Sequence, residues 1–151
     1  MTTSELCLNE RFAAVPASIP QARRALTLFA QCAGACEEQV AAVRLASSEA
    51  LTNAVKHAYW GGEGSVYVTS AVTGDELSVL ISDDGQGMRS YGGTRGLGVG
   101  LALIACLTDG FTVLKRSSGG TELQMRFGLH ARNAPERDHW RGSAFSAKAP
   151  V

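Results

Sequence analysis

The sequence predicts an α+β fold, a two-layer sandwich with helices on one face of a mixed, mostly antiparallel sheet. Three observations lead there. Apolar residues recur at helical spacing in two consecutive N-terminal segments and again just beyond residue 100. Two pairs of strand-like segments are each joined by a short glycine-containing turn, the signature of hairpins. The order of these pieces is strand, two helices, hairpin, glycine-rich loop, helix, hairpin. That order lacks the βαβ alternation of a parallel, doubly wound sheet.

Residues 5–12 (ELCLNERF) alternate enough for an edge strand. Pro16 and Pro20 punctuate the loop that follows, and Pro20 suits the first turn of a helix running to about Gly34. Ala22, Ala25, Leu26, Phe29 and Ala30 give that helix its 3.6-residue period. A second helix starts near Glu37 and carries Val40, Val43, Leu51, Ala54 and Ala58, with Gly61 and Gly62 as its stop. SVYVTSAV and ELSVLIS, joined by Thr73-Gly74-Asp75, form the first hairpin. Residues 84–100 hold seven glycines, too many for regular structure. The apolar helix LALIACL follows, and then FTVLKRS and TELQMRF form a second hairpin around Ser118-Gly119-Gly120. Residues 1–130 read as one domain, and 131–151 as a polar, loosely attached tail.

The 151 residues suit one domain with a real core. Lys plus Arg equals Asp plus Glu at 14 each, so no overall field favours nucleic acid or an acidic membrane. No run approaches the ~20 apolar residues of a membrane helix, and the start MTTSELCLNERF lacks the pattern of a signal peptide. A cytoplasmic location is the expectation. Cys32 and Cys36 are spaced to lie one turn apart on a helix, half of a metal site, but no matching pair lies elsewhere. Free thiols, buried or partly buried, are expected at Cys7, Cys32, Cys36 and Cys106.

Three segments carry chemistry. EALTNAVKHAY (49–59), wound as a helix, places Glu49, Asn53, Lys56 and His57 within an arc of roughly 100°, opposite Leu51, Ala54, Val55 and Ala58. A solvated face is the ordinary meaning of such charges, yet Asn is a poor helix-interior residue. An amide oxygen can ligate Mg²⁺ beside phosphates, a carboxylate one turn away can deprotonate a nucleophile, and Lys56 can neutralise phosphate charge. His57 is read as structural. ISDDGQGM (81–88) runs a strand into an acid followed by Gly85 and Gly87. A carboxylate beside a backbone without side chains can accept an amino proton from a flat heterocycle, and either Asp83 or Asp84 can serve. GGTRGLGVGLALI (92–104) passes from glycine loop into helix, and exposed N–H groups there make a phosphate cradle. The phosphate loop ending in Gly-Lys-Ser/Thr is absent, as is the dinucleotide-binding context.

Together the segments resemble the GHKL ATPases, the superfamily that includes the ATP-binding domains of gyrase and the histidine kinases. Glu49-x-x-x-Asn53 is similar to the N box, Asp83-x-Gly85-x-Gly87 to the G1 box, and Gly96-Leu97-Gly98-Val99-Gly100-Leu101 to the G2 box. Gly120-Thr121 before a strand resembles the late G-T element that helps hold adenine. The resemblance spans roughly residues 5–128 and implies the Bergerat ATP-binding fold. Within the superfamily, the short chain and its E-A-L-T-N-A-V-K-H-A-Y most resemble the anti-sigma-factor serine/threonine kinases. That likeness implies ATP and Mg²⁺ as cofactors, Glu49 as general base, Asn53 as metal ligand and Asp83 as adenine contact. It assigns Gly96, Gly98 and Gly100 to the phosphates and residues 88–96, with Arg89 and Arg95, to an ATP lid. Lys56 matches a position more typical of histidine kinases.

The resemblance implies a partner-switching protein kinase that phosphorylates a serine on a small antagonist protein and holds a sigma factor, as a homodimer without direct nucleic-acid or membrane contact. One alternative is an ATP-binding regulatory module without phosphoryl transfer. Another is a histidine-kinase-type ATPase acting in trans, because the histidines at 57, 130 and 139 offer no phosphoacceptor helix ahead of the ATP domain.

Overall fold

The computed structural model describes residues 6–58, 63–85, 98–117 and 119–129. Strand β1 (Cys7–Ala13) leads into helices α1 (Ser18–Cys32) and α2 (Glu37–Ala58). The hairpin β2 (Ser65–Thr73) and β3 (Glu76–Asp83) follows, then α3 (Gly98–Leu107) and the hairpin β4 (Gly110–Lys115) and β5 (Thr121–Gly128). The five strands form one sheet in the order β1-β2-β3-β5-β4. Every pairing is antiparallel among the described residues. Residues 59–62 with their two glycines, and the tail from 130 onward, lie outside the described residues.

Strand alternation decides which face of the sheet is covered. Val66 and Val68 of β2, Leu77, Val79 and Ile81 of β3, and Leu123, Met125 and Phe127 of β5 are all buried. Against them pack Leu26, Phe29 and Ala30 of α1, Val43, Leu51 and Ala54 of α2, and Ile104 of α3. Each fully buried leucine contributes about 1.5–3 kcal/mol relative to exposure, so this single layer is the main source of stability. The first hairpin turns on Gly74 at φ 60°, as a two-residue connection requires.

The helix ends follow local chemistry. Gly34 adopts φ 85° after α1. The N–H of Ala35 donates to the Ala30 carbonyl and that of Gly34 to Gln31, the paired bonds of a Schellman motif. At the start of α2 the Gln39 side chain reaches back to accept from the Cys36 N–H at 2.8 Å, half of a capping box. Its amide nitrogen donates to the Gly128 carbonyl at 2.6 Å, which ties the head of α2 to the end of β5. Glu37 and Glu38 in the first turn complement the helix dipole.

Two expectations need correction. Pro20 lies in the first turn of α1 as expected, but α3 begins at Gly98, inside the glycine run that was expected to lack regular structure. The cysteines are free as expected, but all four are exposed. Cys7 lies on the uncovered side of the edge strand, opposite Ala71. Cys32 ends α1 and Cys36 precedes α2, so the two do not share a helix face.

Candidate active site

Helix α2 presents the polar face its sequence specified. Leu51, Ala54 and Val55 are buried, Glu49 and Asn53 are half-buried, and Lys56 is exposed. Half-burial places Glu49 and Asn53 at the margin of the core, against a neighbour. That neighbour is the first turn of α3. A Cβ on Gly100 would lie 3.3 Å from Glu49 Oε2 and 3.5 Å from Asn53 Nδ2. The missing side chain therefore lets the head of α3, whose first N–H groups have no partner within the helix, sit directly on the carboxylate and the amide.

At the other end of the same helix pair, a cleft of ≈ 230 Å³ is lined by Cys36, Gln39 and Ala42 together with Cys106 and Leu107. Helix α3 therefore runs antiparallel along α2. Its head lies by residues 49–53 and its tail by the start of α2.

Asp83 ends β3 on the covered face. Its position follows from register: Val66 pairs with Asp83 and Val68 with Ile81, so the side chains of 77, 79, 81 and 83 all point toward the helices. Asp83 is 6% exposed. One carboxylate oxygen, Oδ1, accepts from the backbone N–H of Gly85 at 3.0 Å and of Thr121 at 3.3 Å. Burial pushes the Asp83 carboxyl above its ordinary value; the two N–H donors and Arg116 pull it back, and the Asp84 charge adds to the rise. Both of these donors are backbone N–H groups and both go to Oδ1, which orients the carboxylate.

Asp84 points elsewhere. It pairs with Arg116 at 2.7 Å and stays largely exposed. The two acids left open by the sequence thus occupy distinct places, Asp83 inside and Asp84 on the rim. The signal was present in the strand: Leu77, Val79 and Ile81 alternate, and the same parity carries Asp83 inward. Sequence reasoning missed Arg116 altogether, because it lies beyond a strand far along the chain.

Gly120, at φ 88°, packs its backbone on the Asp83 carbonyl so closely that a Cβ would clash with that oxygen. Glycine here lets the β4–β5 turn press Thr121 N–H onto Asp83. The structure thus brings Asp83, Gly85 and Thr121 together at one place, and Glu49, Asn53 and Gly100 at another. Gly98 and Val99 open α3. Gly87, Arg95, Gly96 and Leu97 lie outside the described residues. Among the described residues no group of three His, Cys, Asp or Glu is placed to hold a metal, and no helix is long and apolar enough to cross a membrane.

The chain is similar to known proteins in sequence and fold. The serine-protein kinase RsbW of Listeria monocytogenes serovar 1/2a is 35% identical over 86 residues, covering 56% of this chain and 55% of that protein. The serine-protein kinase RsbW of Staphylococcus epidermidis is 34% identical over 102 residues, covering 56% of this chain and 64% of that protein. The matches thus span little more than half the length of these relatives. Among solved structures, the RsbU and RsbW domains of Rv1364c from Mycobacterium tuberculosis superpose with a TM-score of 0.65 at 25% identity. That match covers 82% of this chain and 32% of the other. The model of the histidine kinase-like ATPase domain matches residues 12–127, from the end of β1 through nearly all of β5. With the sheet, the helix pair and the pinned aspartate arranged as described, the chain belongs to the histidine kinase-like ATPase domain family.

Proposed function

We propose that this chain binds ATP with Mg²⁺ between the Asp83 end of β3 and the α2–α3 pair, and phosphorylates a serine or threonine on a small antagonist protein. In this reading it is an anti-sigma factor of a partner-switching module, acting in the cytoplasm as a homodimer and holding a sigma factor when the antagonist is unavailable. The kinase names of the relatives support the class. The observation that carries it is the close approach of Gly100 to both Glu49 and Asn53. It unites, at one point, a base, a metal-ligating amide and the N–H groups of a helix head.

Each residue has a part. Asp83 Oδ1 is held by backbone donors, which orients its second oxygen to accept the exocyclic amino group of adenine. Gly85 and Gly87 leave room for the flat base, and Thr121 fixes the acid through its N–H. The head of α3, with Gly96, Leu97, Gly98, Val99 and Gly100, supplies N–H groups for phosphate oxygens. Lys56 and Arg95 add positive charge. The amide oxygen of Asn53 suits Mg²⁺, which prefers hard oxygen donors and keeps several waters beside phosphates, so a larger protein cage is unnecessary. When bound, the metal neutralises charge on the transferring phosphoryl group.

Glu49 holds the acceptor hydroxyl and takes its proton as the hydroxyl oxygen bonds to the γ-phosphorus. The bond from that phosphorus to the β-γ bridging oxygen breaks, and ADP keeps the electron pair. Phosphoryl transfer needs chiefly positioning and charge stabilisation, and these residues supply both.

The test separates chemistry from binding. Glu49→Ala is expected to bind ATP within a few-fold of wild type. Its transfer of labelled phosphate to an antagonist protein should fall by about 10²–10⁴-fold, the usual contribution of a positioned base. Undiminished transfer removes Glu49 from the mechanism. Transfer absent from the wild type as well, with ATP still bound, leaves a regulatory ATP-binding module.

A further inference from the structure

Arg116 lies just past β4 and belongs to none of the motifs of the site, yet its guanidinium reaches the end of β3. Nη1 donates to the Asp84 carboxylate at 2.7 Å and to the Asp83 carbonyl at 3.3 Å. The same guanidinium lies 5.9 Å from the centroid of the Tyr67 ring, within the range of a cation–π contact. Arg116 N–H donates to the Gly120 carbonyl, and Gly119 N–H donates to the Arg116 carbonyl. The residue is thus fixed by the turn that carries Thr121 N–H to Asp83. It touches both consecutive acids, Asp83 through its carbonyl and Asp84 through its carboxylate.

We infer that Arg116 is a positioning residue for adenine recognition: it neutralises and holds Asp84 on the rim, so that Asp83 alone presents an ionised acceptor to the base. The inference rests on the nucleotide-site reading and adds a determinant outside its motifs. The physical reason is that two adjacent carboxylates at a strand end disfavour each other's charged form. An arginine paired with the outer acid offsets part of that penalty on the inner one. Its bond to the Asp83 carbonyl also keeps the strand end in register with the β4–β5 turn.

The experiment compares affinity for ATP with affinity for inosine triphosphate, whose base carries a carbonyl oxygen in place of the exocyclic amino group. An acceptor at Asp83 favours the first and repels the second. Wild-type protein is expected to prefer ATP, and Arg116→Gln, which keeps a donor but loses the charge, is expected to narrow that preference about tenfold, the scale of one charge-assisted hydrogen bond. Arg116→Lys should retain the preference. Adding Asp84→Asn to Arg116→Gln should restore much of it, because the rim charge next to Asp83 is then gone.

A role in folding alone would weaken both nucleotides equally and leave the ratio unchanged. An unchanged ratio in Arg116→Gln overturns the inference, and so does failure of Asp84→Asn to restore the ratio. Wild-type protein that binds neither nucleotide overturns the nucleotide-site reading along with it.

Discussion

Gly120 and Gly100 each let two segments of the site approach, but they admit different neighbours. At Gly120 the neighbour is backbone, the carbonyl of Asp83, and the glycine itself has φ 88°. At Gly100 the neighbours are the ends of the Glu49 and Asn53 side chains, and the glycine sits in an ordinary helix turn. Backbone cannot yield without moving a strand. A glutamate tip can swing by a few tenths of an ångström. The Asp83 end of the site is therefore locked into the fold, whereas the Glu49–Asn53 end is set by side chains that retain some freedom. A recognition site gains from the first arrangement, since a fixed acceptor discriminates. Under the proposed function, the second arrangement is the one that meets the metal and the transferring group.

That contrast can be broken most directly at Gly120. Gly120→Ala combines a left-handed backbone conformation with a contact that only backbone movement relieves, and should cost about 3 kcal/mol of stability or more. A denaturant midpoint equal to that of wild type would show that the β4–β5 turn is not locked onto β3.

Asp83→Asn sharpens the comparison at the same end. It should lower ATP affinity by about 10–100-fold, as expected when a charged acceptor becomes a neutral one. Its effect on the fold has the opposite sign. The folded-state pKa of Asp83 is raised, chiefly by burial. Its contribution to stability is therefore fully present below the unfolded value of 3.8 and is lost as pH rises through the folded value. The nucleotide-free Asn variant should thus gain on wild type as pH increases through that window. Thermal melts across the acid range measure the difference, and parallel pH profiles would contradict the burial argument.

The smallest effect is expected at Gly100. Gly100→Ala gains up to about 1 kcal/mol of helix propensity and displaces the Glu49 tip slightly, so stability should stay close to wild type. Phosphate transfer should fall several-fold, because the displaced group is the proposed base. Steady-state transfer set against the melting temperature separates the two. A large stability loss with normal transfer would reverse the distinction between the two glycines.

Much of the fold was legible because it depends on local periodicity. The alternation of β2, β3 and β5 and the 3.6-residue stripe of α2 specify which residues turn inward, and the structure buries those strand positions together with Val40, Val43, Leu51 and Ala54. The exposure of the cysteines was not legible. Cysteine is usually buried, but three of the four here fall at a helix end, before a helix start and on the open side of an edge strand. Those places depend on which surfaces other elements cover. Arg116 was equally invisible, because its partners are 32 and 33 residues earlier in the chain.

The sequence by itself determined the polar face Glu49–Asn53–Lys56 and the acid at the end of β3, since each depends on side-chain periodicity within one element. It also marked the glycine-rich approach to α3, although the helix itself begins at Gly98 within that run. Only the tertiary structure decided that Asp83 lies inside while Asp84 turns to Arg116, and that Gly100 meets Glu49 and Asn53. Only packing brought Thr121 N–H to Asp83 Oδ1. These contacts join segments far apart in the chain, and their geometry follows from sheet register and helix packing, which no single segment contains.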